Sequence, residues 1–258
     1  MTVRSPHGRQ TAPGPLDAAA AGPAGRSRLT LLDCFQLEHA GRHVPTPNSA
    51  GRLIAFLGVR GRSSRTEVAG TLWPDVPEPR AHASLRTVLW RLHRLAAAAP
   101  VVAGRDALSL SPDLEVDVQT LEASARKVLG ACGGVDPGAV EGWVFVGELL
   151  PGWYDDWVLF ERERLRQLQL HTLEAAADRL TAAGRHAEAI EAALAAIRLE
   201  PLRESAARAL IVAYLAEHNV VEAVRRFEYF RHGLATELGV SPTPALERLV
   251  RNGYCATQ

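Results

Sequence analysis

The sequence predicts a mainly α chain with small β-sheets: a winged helix-turn-helix followed by a tetratricopeptide-like helical repeat domain. Three observations carry that class. Residues 78–99 read as a basic amphipathic helix that closes a helix pair, short alternating strand patterns flank that pair, and the C-terminal half repeats a helical hairpin at an offset of 34 residues.

The first strands lie in LTLLDCFQLEHAGRHVP, where Leu29, Leu31, Cys34 or Phe35 and Leu37 alternate loosely with polar residues. The turn chemistry of His39-Ala40-Gly41-Arg42 then leads to a short strand at residues 43–44, which makes a small antiparallel sheet. Asn48 and Ser49 are placed to cap a helix through Val59, with Leu53, Ile54, Phe56 and Leu57 facing the core and Gly58 and Gly61 ending it. Ser64-Arg65-Thr66-Glu67 is a capping box that opens a second helix, which runs to Trp73 and is stopped by Pro74.

The third helix starts at Pro79, whose missing N–H costs nothing in a first turn. Ala81, Leu85, Val88 or Leu89, Leu92 and Leu95 recur at spacings of three and four and form one apolar stripe. Arg80, His82, Arg86, Arg91, His93 and Arg94 fall off the stripe with Ser84, Thr87 and Trp90, and no acidic residue interrupts residues 80–99. A helix buried on one side and arginine-rich on the other suits a polyanion; the plainer alternative is a solvated charged face. Arg91, taken as central on the exposed face, reads as a base contact able to offer a bidentate fork to guanine. After Pro100, residues 101–102 and 107–110 read as a hairpin around Gly104-Arg105-Asp106, followed by an extended piece at residues 114–118. A hairpin directly after such a helix is a wing, with Arg105 at its tip to meet a phosphate.

Composition bounds the chemistry. The 258 residues suffice for two modest domains, and the 47% apolar content is that of a globular protein. Lys plus Arg and Asp plus Glu each total 29, but unevenly: residues 1–28 carry four arginines against one aspartate, residues 29–119 ten basic against nine acidic, and residues 120–258 fifteen against nineteen. The acidic C-terminal half is therefore not expected to be a nucleic-acid surface. Cys34, Cys132 and Cys255 are too few and too spread for a zinc site or a disulfide framework, which suits a reduced cytoplasmic location. No membrane span or signal segment is evident. Lys127 is the only lysine and stands in no glycine-rich loop, so a P-loop is excluded. No metalloprotease or nucleophile-elbow motif is present, and neither enzymatic activity, metal nor cofactor is expected.

Residues 1–28, rich in Pro, Gly, Ala and Ser, read as disordered, with a basic arm on the DNA backbone as the alternative. The winged helix is assigned to residues 29–120 and the helical domain to residues 121–258, with a short helix in residues 120–135 and a break at Gly130, Gly133, Gly134 and Gly138. Trp153, Tyr154 and Trp157 read as an anchor for the long helix that follows, which Asp155 and Asp156 would cap. Residues 180–189 and 214–223 superpose at the 34-residue offset, matching Gly184 with His218 and Glu188-Ala189 with Glu222-Ala223. Pro201 and Pro242 punctuate the second helix of each unit. Stacked hairpins of this kind form a groove for protein segments.

Over residues 29–254 the chain resembles actinobacterial regulators of the antibiotic-regulatory-protein class, in which a response-regulator-type winged helix precedes a bacterial transcriptional activation domain. RLIAFLGVRGRSSRTEVAGTLWPDVPEPRAHASLRTVLWRLHRL and GELLPGWYDDWVLFERERLRQLQLHTLE carry the resemblance. It implies an activator that binds double-stranded DNA at direct repeats near a promoter and recruits RNA polymerase holoenzyme to biosynthetic gene clusters, with self-association a further option. It also implies DNA contact through Ser84, Arg86, Thr87, Trp90, Arg91 and Arg94, with Arg80 and Arg105 on phosphates. His93 stands where relatives commonly have arginine, which makes one backbone contact weaker or pH-dependent. Larger members add an ATPase module, not expected here without a P-loop lysine. The competing reading is a scaffold that binds no DNA and uses both parts for protein interaction.

Overall fold

The computed structural model describes residues 26–94, 100–130 and 147–255. The expected disordered segment up to residue 25, the end of the basic helix with Leu95, and Gly133, Gly134 and Gly138 lie outside those residues.

β1 (Ser27–Thr30) pairs antiparallel with β2 (Gln36–His39), β2 with β3 (Arg42–His43), and β7 (Leu114–Val116) lies parallel on the other side of β1. β1 thus takes Ser27 and Arg28 out of the segment expected to be disordered. Their pairing with His39 and Glu38 on one side and Leu114 and Glu115 on the other supplies partners that composition does not reveal. Ala40 and Gly41 turn the hairpin at φ 50° and 72°, the left-handed pair that suits a two-residue connection, and β3 starts one residue before the expected strand.

α1 (Asn48–Arg60) is capped by neither Asn48 nor Ser49; Pro47 is the N-cap, and its carbonyl accepts from the N–H groups of Ala50 and Gly51. Gly58 does not end the helix but lets it lie on β1: a Cβ there would stand 2.8 Å from Leu31 Cδ1 and 3.1 Å from Leu29 Cδ2. Gly61, at φ 73°, ends it. β4 (Ser63–Ser64) leads into α2 (Arg65–Leu72), where the Ser64 hydroxyl accepts from Glu67 N–H at 3.1 Å, as the capping box predicts. The loop at residues 73–77 connects α2 to α3 (Glu78–His93). β5 (Val101–Ala103) and β6 (Ala107–Leu110) form the expected hairpin, and β6 adds β4 to make a sheet ordered β4-β6-β5. The arrangement is a winged helix.

α4 (Asp117–Gly130) follows β7 directly. The Asp117 carboxylate accepts the N–H groups of Leu31 and Leu32, each at 2.9 Å, and of Val118 at 2.7 Å. It ties the exit of β1 to the entry of α4.

The helical part comprises α5 (Asp156–Ala182), α6 (His186–Leu199), α7 (Glu204–Ala216), α8 (Val220–Leu238) and α9 (Pro244–Cys255). The two turns of the predicted repeat adopt one conformation: Gly184 has φ 75° and His218, at offset 34, has φ 63°. Pro201 and Pro242 follow the ends of α6 and α8, with Gly239 in the left-handed region closing α8.

The boundary read at residues 120 and 121 falls inside α4, and the hydrophobic core of the winged helix crosses it. Leu121, Leu149, Leu150, Trp157, Val158 and Leu165 are buried in the same cluster as Leu53, Phe56 and Leu85. Leu32 and Leu149 form a β-bridge, while Leu150 N–H donates to Leu31 O at 2.9 Å. Of the expected aromatic anchor, Trp157 packs edge-on against Phe56 (5.4 Å) and Trp153 stacks on Phe35 (5.8 Å), but Tyr154 is exposed. Asp155 is the N-cap of α5 without a side-chain cap bond; its carboxylate pairs with Arg52 instead.

Asp117→Ala strips three N–H groups of their acceptor and should lower the unfolding free energy by about 2–4 kcal/mol, measured by urea denaturation. A loss under about 0.5 kcal/mol would mean that water replaces the carboxylate without penalty.

Candidate nucleic-acid interface

α3 packs on α1 and α2 through Ala81, Leu85, Val88 and Leu92, all buried, which is the predicted stripe as far as Leu92. Taking about 100° per residue, Trp90 stands about 170° around the helix from the mean direction of these four, Arg94 about 150°, Arg86 and Thr87 about 130°, and Arg80 about 110°. Arg91, expected at the centre, lies on the flank at about 90° from the stripe, and half-buried Ser84 at about 70°. The centre of the exposed face therefore belongs to Trp90.

Arg80, Arg86, Arg91, Arg94 and Arg105 are exposed, and none of the described residues forms an ion pair with them. Arg94 lies over the Trp90 ring, its guanidinium carbon 4.9 Å from the ring centroid. Thr87 donates its hydroxyl to Ala83 O at 3.0 Å, so only its lone pairs remain for an outside donor. His82 is half-buried and stands 3.5 Å from Glu78, and His93 is exposed.

The wing is held by a residue that the sequence reading did not single out. Arg65, the first residue of α2, donates through Nε to the carbonyls of Gly104 (3.3 Å) and Arg105 (3.1 Å) and through its terminal nitrogen to Gly104 again (3.0 Å). Its backbone N–H donates to Asp106 O at 3.2 Å. The hairpin tip is thereby fixed to the N-terminus of α2, and Arg105 projects from it into solvent. With 39 residues between Arg65 and Gly104, no local pattern could have announced the contact. Five cations on α3, its C-cap and the wing have no carboxylate partner among the described residues, a pattern that suits a polyanion.

Among the described residues no group of three or more His, Cys, Asp or Glu side chains is placed to hold a metal ion, and no helix is long and apolar enough to cross a membrane.

The family described as bacterial transcriptional activator domain matches residues 139–252. Among curated proteins, the regulatory protein AfsR of Streptomyces coelicolor is 30% identical over 239 residues, covering 88% of this chain and 24% of that protein. AfsR of Streptomyces griseus is 29% identical over 225 residues, covering 79% and 22%. The chain thus spans about a quarter of the length of these relatives. Among solved structures, Mycobacterium tuberculosis EmbR, determined in complex with a low-affinity phosphopeptide, superposes with a TM-score of 0.71 over 90% of this chain and 66% of that one. At 22% identity, that likeness is one of fold.

The Arg65 contacts yield a direct test. Arg65→Ala should speed amide hydrogen exchange at Gly104 and Ala107 while leaving Leu29 and Leu37 in the first sheet as protected as before. Unchanged exchange at the wing would mean that β4 alone holds the hairpin.

Proposed function

This chain is of the antibiotic-regulatory-protein class and carries a bacterial transcriptional activator domain, and on that premise we propose that it binds double-stranded DNA sequence-specifically and recruits RNA polymerase to promoters of a biosynthetic gene cluster. One observation carries the DNA half of the reading. Arg80, Arg86, Arg94 and Arg105 point outward from the helix and wing that such a fold lays on the duplex, with no carboxylate among the described residues to neutralise them. Recruitment is supported differently: residues 120–258 carry fifteen basic against nineteen acidic residues, and stacked helical hairpins offer a concave surface to protein rather than to DNA.

Binding of the full chain to duplex DNA should fall steeply with salt, log K against log salt having a slope of about −4 to −5 if the five unpaired arginines each neutralise one phosphate. A flat dependence would favour the protein-interaction scaffold. Arg91, on the flank, faces the groove wall. Arg91→Ala should therefore weaken binding to selected and random duplexes alike and reduce the salt slope by about 1. A loss of about 1–3 kcal/mol confined to the selected site would return Arg91 to the bases.

Head-to-tail binding, which the resemblance implies, puts successive α3 helices on one side of the duplex, about 10–11 bp apart. The half-sites should then be direct repeats, whereas a two-fold dimer through the helical part would demand a palindrome. Inserting roughly five base pairs rotates one half-site to the far face. Joint occupancy in a footprint should disappear; undiminished joint occupancy would mean that the copies bind independently.

A further inference from the structure

We propose that Trp90 reads the 5-methyl group of a thymine on the floor of the major groove, with Arg94 holding the indole in position. The inference rests on the DNA-binding reading above and assigns part of its base preference.

Trp90 is 60% exposed and lies outside the core cluster that buries its neighbours Val88 and Leu92. Leaving so large an apolar ring in water forfeits stability, so its position calls for an apolar partner. Direction supplies the second argument. Among the side chains of α3, Trp90 is nearly opposite the buried stripe, and the shorter Ala83 and Thr87 share its ridge. With α3 in the groove, the indole is the side chain that projects furthest toward the floor.

The floor is polar at almost every base edge: guanine and adenine offer acceptors or donors, and cytosine offers an amino group. Against these edges the indole can offer one N–H to a single acceptor and nothing to an amino donor, so its broad apolar ring would strip water from groups that it leaves unpaired. Thymine alone presents a methyl group. Contact between ring and methyl buries apolar surface on both and leaves no donor stranded.

Arg94 supplies the orientation. Its guanidinium covers one face of the indole at 4.9 Å, an attraction of cation and ring quadrupole that restricts the ring rotamer. With that face occupied, the opposite face and the edge remain for the base.

The test uses the full chain and duplexes that it selects from a randomised pool. In the selected sequence each thymine is replaced singly by uracil, which removes the methyl group and leaves the hydrogen-bonding edge intact. One replacement should weaken the wild-type chain about fourfold, the worth of one methyl-sized group taken from water. Trp90→Ala, at a side chain that is 60% exposed and outside the core cluster, should retain its circular dichroism and bind the thymine and uracil duplexes equally. If no replacement matters, or if Trp90→Ala keeps the discrimination, the assignment to Trp90 fails while selective, salt-dependent binding leaves the DNA reading intact. If the wild-type chain selects no sequence and its binding ignores salt, both fail together.

Discussion

The architecture depends on the first turns of α5 being part of the winged-helix core. Trp157, Val158 and Leu165 are buried there, the Trp157 indole edge-on to Phe56 of α1 at an interplanar angle of 79°. Two charged contacts flank this packing. Asp155 pairs with Arg52, and Glu161, whose side chain is only 3% exposed, meets Arg60 at 2.9 Å and Arg164 at 2.5 Å. Arg164 also holds Glu122 of α4 at 2.6 Å. Ion pairs of this kind, their desolvation offsetting much of the attraction, contribute more to relative orientation than to stability. Arg162 completes the joint by donating to the carbonyls of Leu149, Leu150 and Trp153 at 2.8, 2.7 and 3.0 Å. The segment before α5 is thereby stitched to the same helix that penetrates the N-terminal core.

That joint has a mechanical consequence. α1 contacts both α3 and α4 and carries the residues that grip α5. Any tilt of the helical array must therefore disturb the packing beneath α3. Under the proposed function, a polymerase surface on the repeats would keep a set distance and angle from the bound DNA.

Within the array the helices approach through small side chains. Ala189, Ala192, Ala193, Ala195 and Ala196 of α6 are buried, as are Ala206, Ala209 and Ala213 of α7. Alanine pairs shorten the interaxial distance and cost no side-chain entropy, so close packing takes the place of bulk. The entry to α7 is fixed by Arg203, which donates to Glu174 on α5 at 2.6 Å, while Ser205 donates to the same carboxylate at 2.6 Å. The larger aromatics return at the far end, where Phe227 and Phe230 of α8 pack with Leu246 and Val250 of α9.

What the sequence determined by itself is local. The Ser64 cap, the Gly61 terminus, the apolar stripe of α3 as far as Leu92 and the paired turns at Gly184 and His218 each depend on bonds or sterics spanning a few residues, and each is present as read. The place of Trp90 opposite the stripe also follows from helical period alone, although the arginines around it draw the eye to Arg91. Tertiary structure decided the remainder. Asp117 reaches Leu31 and Leu32 from 86 and 85 residues away, Arg65 fastens the wing across 39, and Asp155 leaves the cap role for Arg52 at a separation of 103. The core that runs past residue 120 belongs to the same group. Hydrogen bonds and burial between distant segments are satisfied only once the chain has closed on itself, and no periodicity within one segment records which distant group will be there to meet it.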